Sequence, residues 1–481
     1  MPSITTYFRK LLRRQMVRPW ALAVPVLVLV VALPLLRPLR SPEADKMSAN
    51  ELTRLATIQS MAENHSQEIE ASPFYSTLRQ RDFQHPPETV QIQNHHYSDK
   101  APVLAVLLAG VYLILQQFGV SFQHSPALAI YLLTIVGAVI PVAASAGMIY
   151  RMGRLFELRR EWRTLLALAV TFGSGLISYA VVLNAHAPAA AFVLAACGCL
   201  VHITVTKEPT RTGAWLMMSG LCAALAAVID PISIVFLAGL VLVILALRWR
   251  KRLRLGGVIL YVIGALPPLV LHAVLIVPIT GDLLPPSLHV QAKALTAGEM
   301  HNESGAEYTD DELAARNGWA HRSVVNAERG LGALVGSHGI FSHFPVLLLG
   351  VMGIFLVLRR HWPIATKTMA AVTLVGGCSI AGLYVFLRAG WGTGMFGPRW
   401  SIAFLPLLMF WAGAWLRKQH HPLAWTLAAL SLLFSIGVSL LGTTSPFIDA
   451  PGKYTASVVF KQWLHPVPPP IERPIVANNS Q

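Results

Sequence analysis

The sequence predicts an all-α polytopic membrane protein with about eleven transmembrane helices, at the roughly 17–25 residues that a bilayer crossing needs. Three observations carry this expectation. Of the 481 residues, 54% are hydrophobic and only 13% charged, whereas soluble domains lie nearer a quarter charged. The mean hydropathy is +0.55. The basic residues behind the net charge of +15 gather in short segments between long apolar runs. These values argue against a soluble enzyme and exclude a disordered chain, which would be polar. Cys197, Cys199, Cys222 and Cys378 all fall inside apolar runs, where a thiol is by default neither a disulfide partner nor a metal ligand.

The runs long enough to cross lie near 20–36, 127–150, 164–183, 187–205, 213–229, 232–247, 256–277, 339–358, 368–387, 401–416 and 422–442. Pro34, Arg37 and Pro38 follow the first run in place of a small-residue cleavage site, so it reads as a retained span and not as a signal peptide. The segment before it carries Arg9, Lys10, Arg13, Arg14 and Arg18 without an acid, which keeps it in the cytoplasm. The basic segments 151–163 and 248–254 belong on the same side by the same rule. Only two crossings then fit before Arg151, so one of the runs 102–120 and 127–150 does not cross. The run 102–120, interrupted by Gln116 and Gln117, is read as a helix lying on or dipping into the outer face. The resulting organisation is a cytoplasmic N-terminus (1–18), a transmembrane domain (19–445) with outer loops 37–126 and 278–338, and an outer tail (446–481). The basic excess is a topology signal and a lipid-headgroup contact, not a nucleic-acid site.

Function concentrates in loops held by a rigid scaffold, and the large loops face outward. In the first, Leu52, Leu55, Ile58 and Met61 recur at a spacing of three, which reads as an amphipathic helix lying on the membrane. It opens with Ser48-Ala49-Asn50-Glu51, a capping box in which Glu51 has a structural role; the functional alternative is a catalytic carboxylate. Lys100, where the loop meets the apolar run, reads either as a snorkelling anchor or as a cation for a phosphate at headgroup height. The pair His95-His96 lacks the further placed ligands of a tetrahedral metal site, so no metal or other cofactor is indicated. Residues 390–400 hold four glycines and a proline, a loop whose backbone can approach a ligand. Arg399 then enters the next run without a local acid, which marks it as functional, the alternative being an interfacial anchor beside Trp400. Asn184-Ala185-His186 and Asp230-Pro231 read as outward turns, with His186 in reach of a substrate.

These features together resemble the GT-C glycosyltransferases, in particular relatives of the protein O-mannosyltransferases and lipid A aminoarabinose transferases. The features are the basic N-terminus and first span, the long outer loop opening on an acidic helix, Tyr97-Ser98-Asp99-Lys100-Ala101-Pro102 leading into a non-crossing helix, and the outer Gly397-Pro398-Arg399-Trp400. The resemblance covers most of residues 15–445. It implies an enzyme that takes a sugar from a polyprenyl-phosphate-linked donor and passes it, usually with inversion, to a glycan, lipid or protein acceptor at the outer face of a bacterial cytoplasmic membrane. It also implies a carboxylate at Glu51 that acts as base or orients the acceptor, with Asp99 as second candidate, and donor phosphate contacts from Lys100 and Arg399. Arg54, Tyr97 and His186 would touch substrate. The chain departs from the pattern where relatives have two consecutive acids, since Asn50 stands in the first place, and where they have two prolines, since Ala101 precedes Pro102.

A secondary transporter or lipid flippase is the alternative class. Such proteins show matching interrupted helices in two halves and charges near the bilayer centre, whereas the polar residues here gather at one face. A catalytically inactive scaffold is a third reading, kept open by Asn50.

Overall fold

In lipid every backbone N–H and C=O must be satisfied within its own segment, so apolar runs of this length fold as helices. The computed structural model describes residues 19–37, 47–82, 87–206, 211–250, 253, 256–290, 319–387, 396–418, 420–448 and 453–464. The basic N-terminus 1–18, residues 291–318 of the loop 278–338, the glycine-rich stretch before Phe396 and the end of the tail lie outside the described residues. The chain forms α1 (Pro19–Ala32), α2 (Ala49–Glu63), α3 (Pro73–Arg81), β1 (Thr89–Ile92), β2 (His95–Ser98), α4 (Val103–Gln117), α5 (Pro126–Phe156), α6 (Arg160–Gly173) and α7 (Leu176–Ala180). It continues with α8 (His186–Val205), α9 (Thr212–Ile229), α10 (Ile234–Trp249), α11 (Gly256–Thr280), α12 (Trp319–Val335) and α13 (Leu347–Arg359). The last elements are α14 (Ile364–Leu387), α15 (Leu405–Phe410), α16 (Ala412–Leu416), α17 (Pro422–Gly442) and α18 (Thr455–Leu464).

Among the described residues seven helices are long and apolar enough to cross a bilayer: α5, α8 to α11, α14 and α17. The chain is therefore an all-α multi-pass membrane protein. Large side chains such as Val30, Ile234, Val274, Val375 and Leu433 stand exposed on the helices, which a lipid-facing surface accounts for. Where helices meet, small residues let the backbones close in. A Cβ on Gly220 of α9 would lie 1.9 Å from the Tyr261 carbonyl of α11, and one on Gly264 would lie 2.0 Å from the Met217 carbonyl.

Four of the eleven expected runs are not single straight helices. The run 20–36 gives the 14-residue α1 and a 3-10 turn, Leu33–Leu35. The run 164–183 breaks between α6 and α7 at Gly175, whose φ is +80° and whose Cβ position lies 2.5 Å from the Phe344 ring, so only glycine fits there. The run 339–358 bends by 98° between Asn326–His343 and Leu347–Arg359, making an eighth crossing if the bent pair is one span. The run 401–416 divides into the turn Arg399–Ser401, α15 and α16. In the opposite sense α11 runs unbroken for 25 residues through Pro267 and Pro268, residues that ordinarily break or kink a helix.

The segment between α1 and α5 also departs from expectation. α2 does not lie with one face in water: Asn50 to Ser60 are buried without a gap. Leu52, Leu55 and Ile58 pack with Leu78, Leu108 and Tyr112 in a second apolar core, and the polar face of the helix is covered as well. α4 spans 15 residues, too short for a straight crossing. Strands β1 and β2 form an antiparallel hairpin in which Thr89 pairs with Ser98 and Ile92 with His95. Gln93 and Asn94 turn it, both with positive φ, the two-residue geometry that suits the twist of paired strands.

Candidate active site

The hairpin places its two ends side by side. The Asp99 N–H donates to the Glu88 carbonyl at 3.2 Å, so Glu88, Asp99 and Lys100 emerge together just before α4. Two antiparallel helices supply the next wall. His186 opens α8, where Asn184 Nδ2 donates to the Tyr179 and Val182 carbonyls and its Oδ1 accepts the Ala187 N–H. Asp230 follows the last turn of α9, which Pro231 cannot continue. These two ends bring His186 Nδ1 within 2.7 Å of Asp230 Oδ2. Arg399 arrives from the turn after Gly397, which takes φ +64°, and its guanidinium lies over the Trp400 ring at 4.4 Å.

A cavity of about 350 Å³ lies among them. Arg54, Asp99, Lys100, His186, Asp230 and Arg399 line it together with Asn50, and Ile229, Ile232, Val235 and Leu288 supply an apolar wall. The polar groups form a chain of contacts. Asp230 holds His186; His186 Nε2 faces Arg399 Nε at 3.4 Å; Arg399 lies 4.0 Å from Glu88; Glu88 pairs with Lys100, and Lys100 Nζ meets Asp99 Oδ2 at 2.8 Å. The far oxygen of Asp99, Oδ1, is buried and has no hydrogen-bond partner among the described residues.

Burial governs the charges here. It pushes the Asp99 carboxyl up to about 7, against the pull of Arg399 and Arg54. It pushes the Arg54 guanidinium down to about 10, with Asp99 and Asp230 opposing. Lys100 is driven well below its ordinary value by burial and by the like charges of Arg399 and Arg54. Burial thus disfavours the charged forms of both Asp99 and Lys100, and an anion entering the cavity would favour the protonated form of Lys100.

Five of the seven residues singled out from the sequence meet at this cavity: Arg54, Asp99, Lys100, His186 and Arg399. Glu51 does not. Its side chain is fully buried outside the cavity lining, where Arg37 Nε and an Arg37 terminal nitrogen donate to Oε1 at 3.1 and 2.7 Å. Burial raises its pKa, against the lowering effect of Arg37. Ser48 accepts the Glu51 N–H at 3.1 Å, so the cap forms, and the residue of the pair that lines the cavity is Asn50. Tyr97 borders a separate small crevice beside Lys100, with Gln67 and Pro286. Arg399, expected to lack an acid, has Glu88 near it. Glu88 sits in a polar stretch that gave no signal. Asp230 read as a turn residue, although a lone acid between two apolar runs is itself a signal. His95 groups with Glu68 and Glu70 at the exposed surface, apart from the cavity lining.

No family model and no curated protein matches the sequence. Among solved structures the chain resembles the oligosaccharyltransferase of Archaeoglobus fulgidus. In its complex with Zn and sulfate the TM-score is 0.52 at 12% identity, over 92% of this chain and 56% of that one. In the form tethered to an acceptor peptide containing the NVT sequon it is 0.52 at 13% identity, over 89% and 55%. The chain shares the fold of that archaeal oligosaccharyltransferase. ArnT from Cupriavidus metallidurans superposes less closely, with a TM-score of 0.44 at 14% identity over 84% and 61%. The chain spans little more than half the length of the archaeal oligosaccharyltransferase structures.

Proposed function

We propose that the protein is a membrane glycosyltransferase of eleven spans that moves a hexosyl or pentosyl group from a polyprenyl-phosphate-linked donor to an acceptor at the outer face of a bacterial cytoplasmic membrane. The observation that carries this reading is the make-up of the cavity: three cations and an under-bonded carboxylate beside an apolar wall. A lipid-linked phosphate has this same division, an anion joined to a hydrocarbon chain. Lys100 and Arg399 take the donor phosphate and stabilise the charge that develops on it. His186, held by Asp230, keeps Arg399 in place, and Arg54 touches substrate. Asp99 Oδ1 accepts the proton of the acceptor hydroxyl. The acceptor oxygen then bonds to the anomeric carbon, the bond from that carbon to the phosphate oxygen breaks, and polyprenyl phosphate leaves with the electron pair. Attack opposite the leaving phosphate inverts the centre. Glu51, the first candidate for the base, is instead assigned to the ion pair with Arg37.

The test uses purified protein in liposomes with a radiolabelled polyprenyl-phosphate sugar. Release of polyprenyl phosphate by the parent and its loss in Asp99→Asn support the reading. Movement of the intact lipid across the bilayer without release would replace it with a flippase.

A further inference from the structure

Arg54 is the cation of the cavity whose terminal nitrogen is left over. Lys100 has Asp99 and Glu88, and Arg399 has Glu88 and His186. Arg54 is 4% exposed, its Nε donates to Asn50 Oδ1 at 3.4 Å, and its NH1 is buried without a hydrogen-bond partner among the described residues. A buried guanidinium nitrogen without an acceptor is costly unless something supplies one.

The departure at position 50 bears directly on this. Asn50 precedes Arg54 by one helical turn, the spacing at which side chains meet. A carboxylate there would form an ion pair with Arg54 and neutralise it. The neutral amide orients the guanidinium through one hydrogen bond and leaves its charge to the cavity, offset there, among the described residues, only by Asp99 and Asp230.

We infer that Arg54, oriented by Asn50, forms a second oxyanion subsite, so that the cavity takes two anionic groups: a phosphate at Lys100 and Arg399 and a further phosphate or carboxylate at Arg54. This rests on the donor reading above for the first anion only. The second has two possible sources with one chemistry. It is either the second phosphate of a diphosphate-linked lipid or an acidic group on a separate substrate.

The experiment measures binding to the full chain in nanodiscs, with polyprenyl monophosphate, polyprenyl diphosphate and inorganic phosphate as probes. Arg54→Gln removes the charge, Asn50→Asp neutralises it in place, and Arg54→Lys keeps it. If the lipid is the source, the parent prefers diphosphate to monophosphate by about tenfold, the worth of one charge-assisted hydrogen bond. That preference vanishes in Arg54→Gln and Asn50→Asp and survives in part in Arg54→Lys. If a separate substrate is the source, the two lipids bind alike, and inorganic phosphate binds the lipid-loaded protein in the same Arg54-dependent way. Either pattern supports the subsite. Unchanged lipid preference and unchanged phosphate binding in both neutralising variants overturn it, and Asn50→Asp guards against loss of fold in Arg54→Gln. Monophosphate binding that needs Lys100 but shows no Arg54 effect leaves the donor reading standing without this subsite. Arg54-dependent phosphate binding in a protein that binds neither lipid does the reverse.

Discussion

Asp99 and Glu51 are both buried acids of the outer segment, each with one oxygen that has no hydrogen-bond partner among the described residues, and the cavity separates them: Asp99 lines it and Glu51 does not. Glu51 spends its carboxylate on Arg37, tying the end of α1 to the start of α2. Glu51→Gln therefore leaves a buried cation uncompensated and costs about 3 kcal/mol or more of stability, read by unfolding in detergent. Donor affinity of the fraction that remains folded stays unchanged. Asp99 lines the cavity, and a base must be ionised to act. Because burial raises its pKa to about 7, the carboxyl is protonated below that value and ionised above it. kcat/KM accordingly rises as pH passes through about 7 and levels off beyond. An ordinary aspartate would put the rise near about 4. Asp99→Asn removes this limb and lowers turnover by about a hundredfold or more. The sequence could show that carboxylates stand at 51 and 99, but helical spacing alone does not say which face of α2 meets the cavity. Only the packing of α4 and the α7–α8 link on that helix decides it, and it turns Asn50 inward and Glu51 toward Arg37.

The hairpin does for the site what no single residue does, since it holds Glu88 and Lys100 at adjoining ends. Its turn depends on Asn94 at φ +68°, a conformation asparagine tolerates and a β-branched residue resists. Asn94→Val costs about 1–3 kcal/mol and weakens polyprenyl-phosphate binding, whereas Asn94→Gly keeps both; thermal unfolding and lipid titration measure the pair. The strands were not legible because each is four residues long and their turn is Gln-Asn in place of the Asn-Gly that signals a hairpin. The long helices were legible because each is one uninterrupted apolar run. The break at Gly175 was not, since a single glycine among apolar residues looks the same whether the helix continues or stops. It is the Phe344 ring, far along the chain, that occupies the space beside it.

For the whole molecule, the sequence carried the class of protein and most of the polar residues around the cavity, but not the straightness of its crossings. The three short or broken apolar segments, α1, α6 with α7, and α15 with α16, decide whether the chain crosses eleven times. With Cys378→Ser as background, His124→Cys is expected to react with an impermeant thiol reagent from outside, and Glu157→Cys only after the membrane is opened. The reverse pattern would mean either that α4 crosses or that the whole domain is inverted, with the cavity facing inward. The central claim, that the cavity holds a lipid phosphate between Lys100 and Arg399, is tested by polyprenyl-phosphate affinity in the parent, Lys100→Ala, Arg399→Ala and the double variant. Each single change is expected to weaken binding by about tenfold or more, and the double by less than the product, because both cations act on one group. A double variant that binds the lipid phosphate as tightly as the parent would contradict the account.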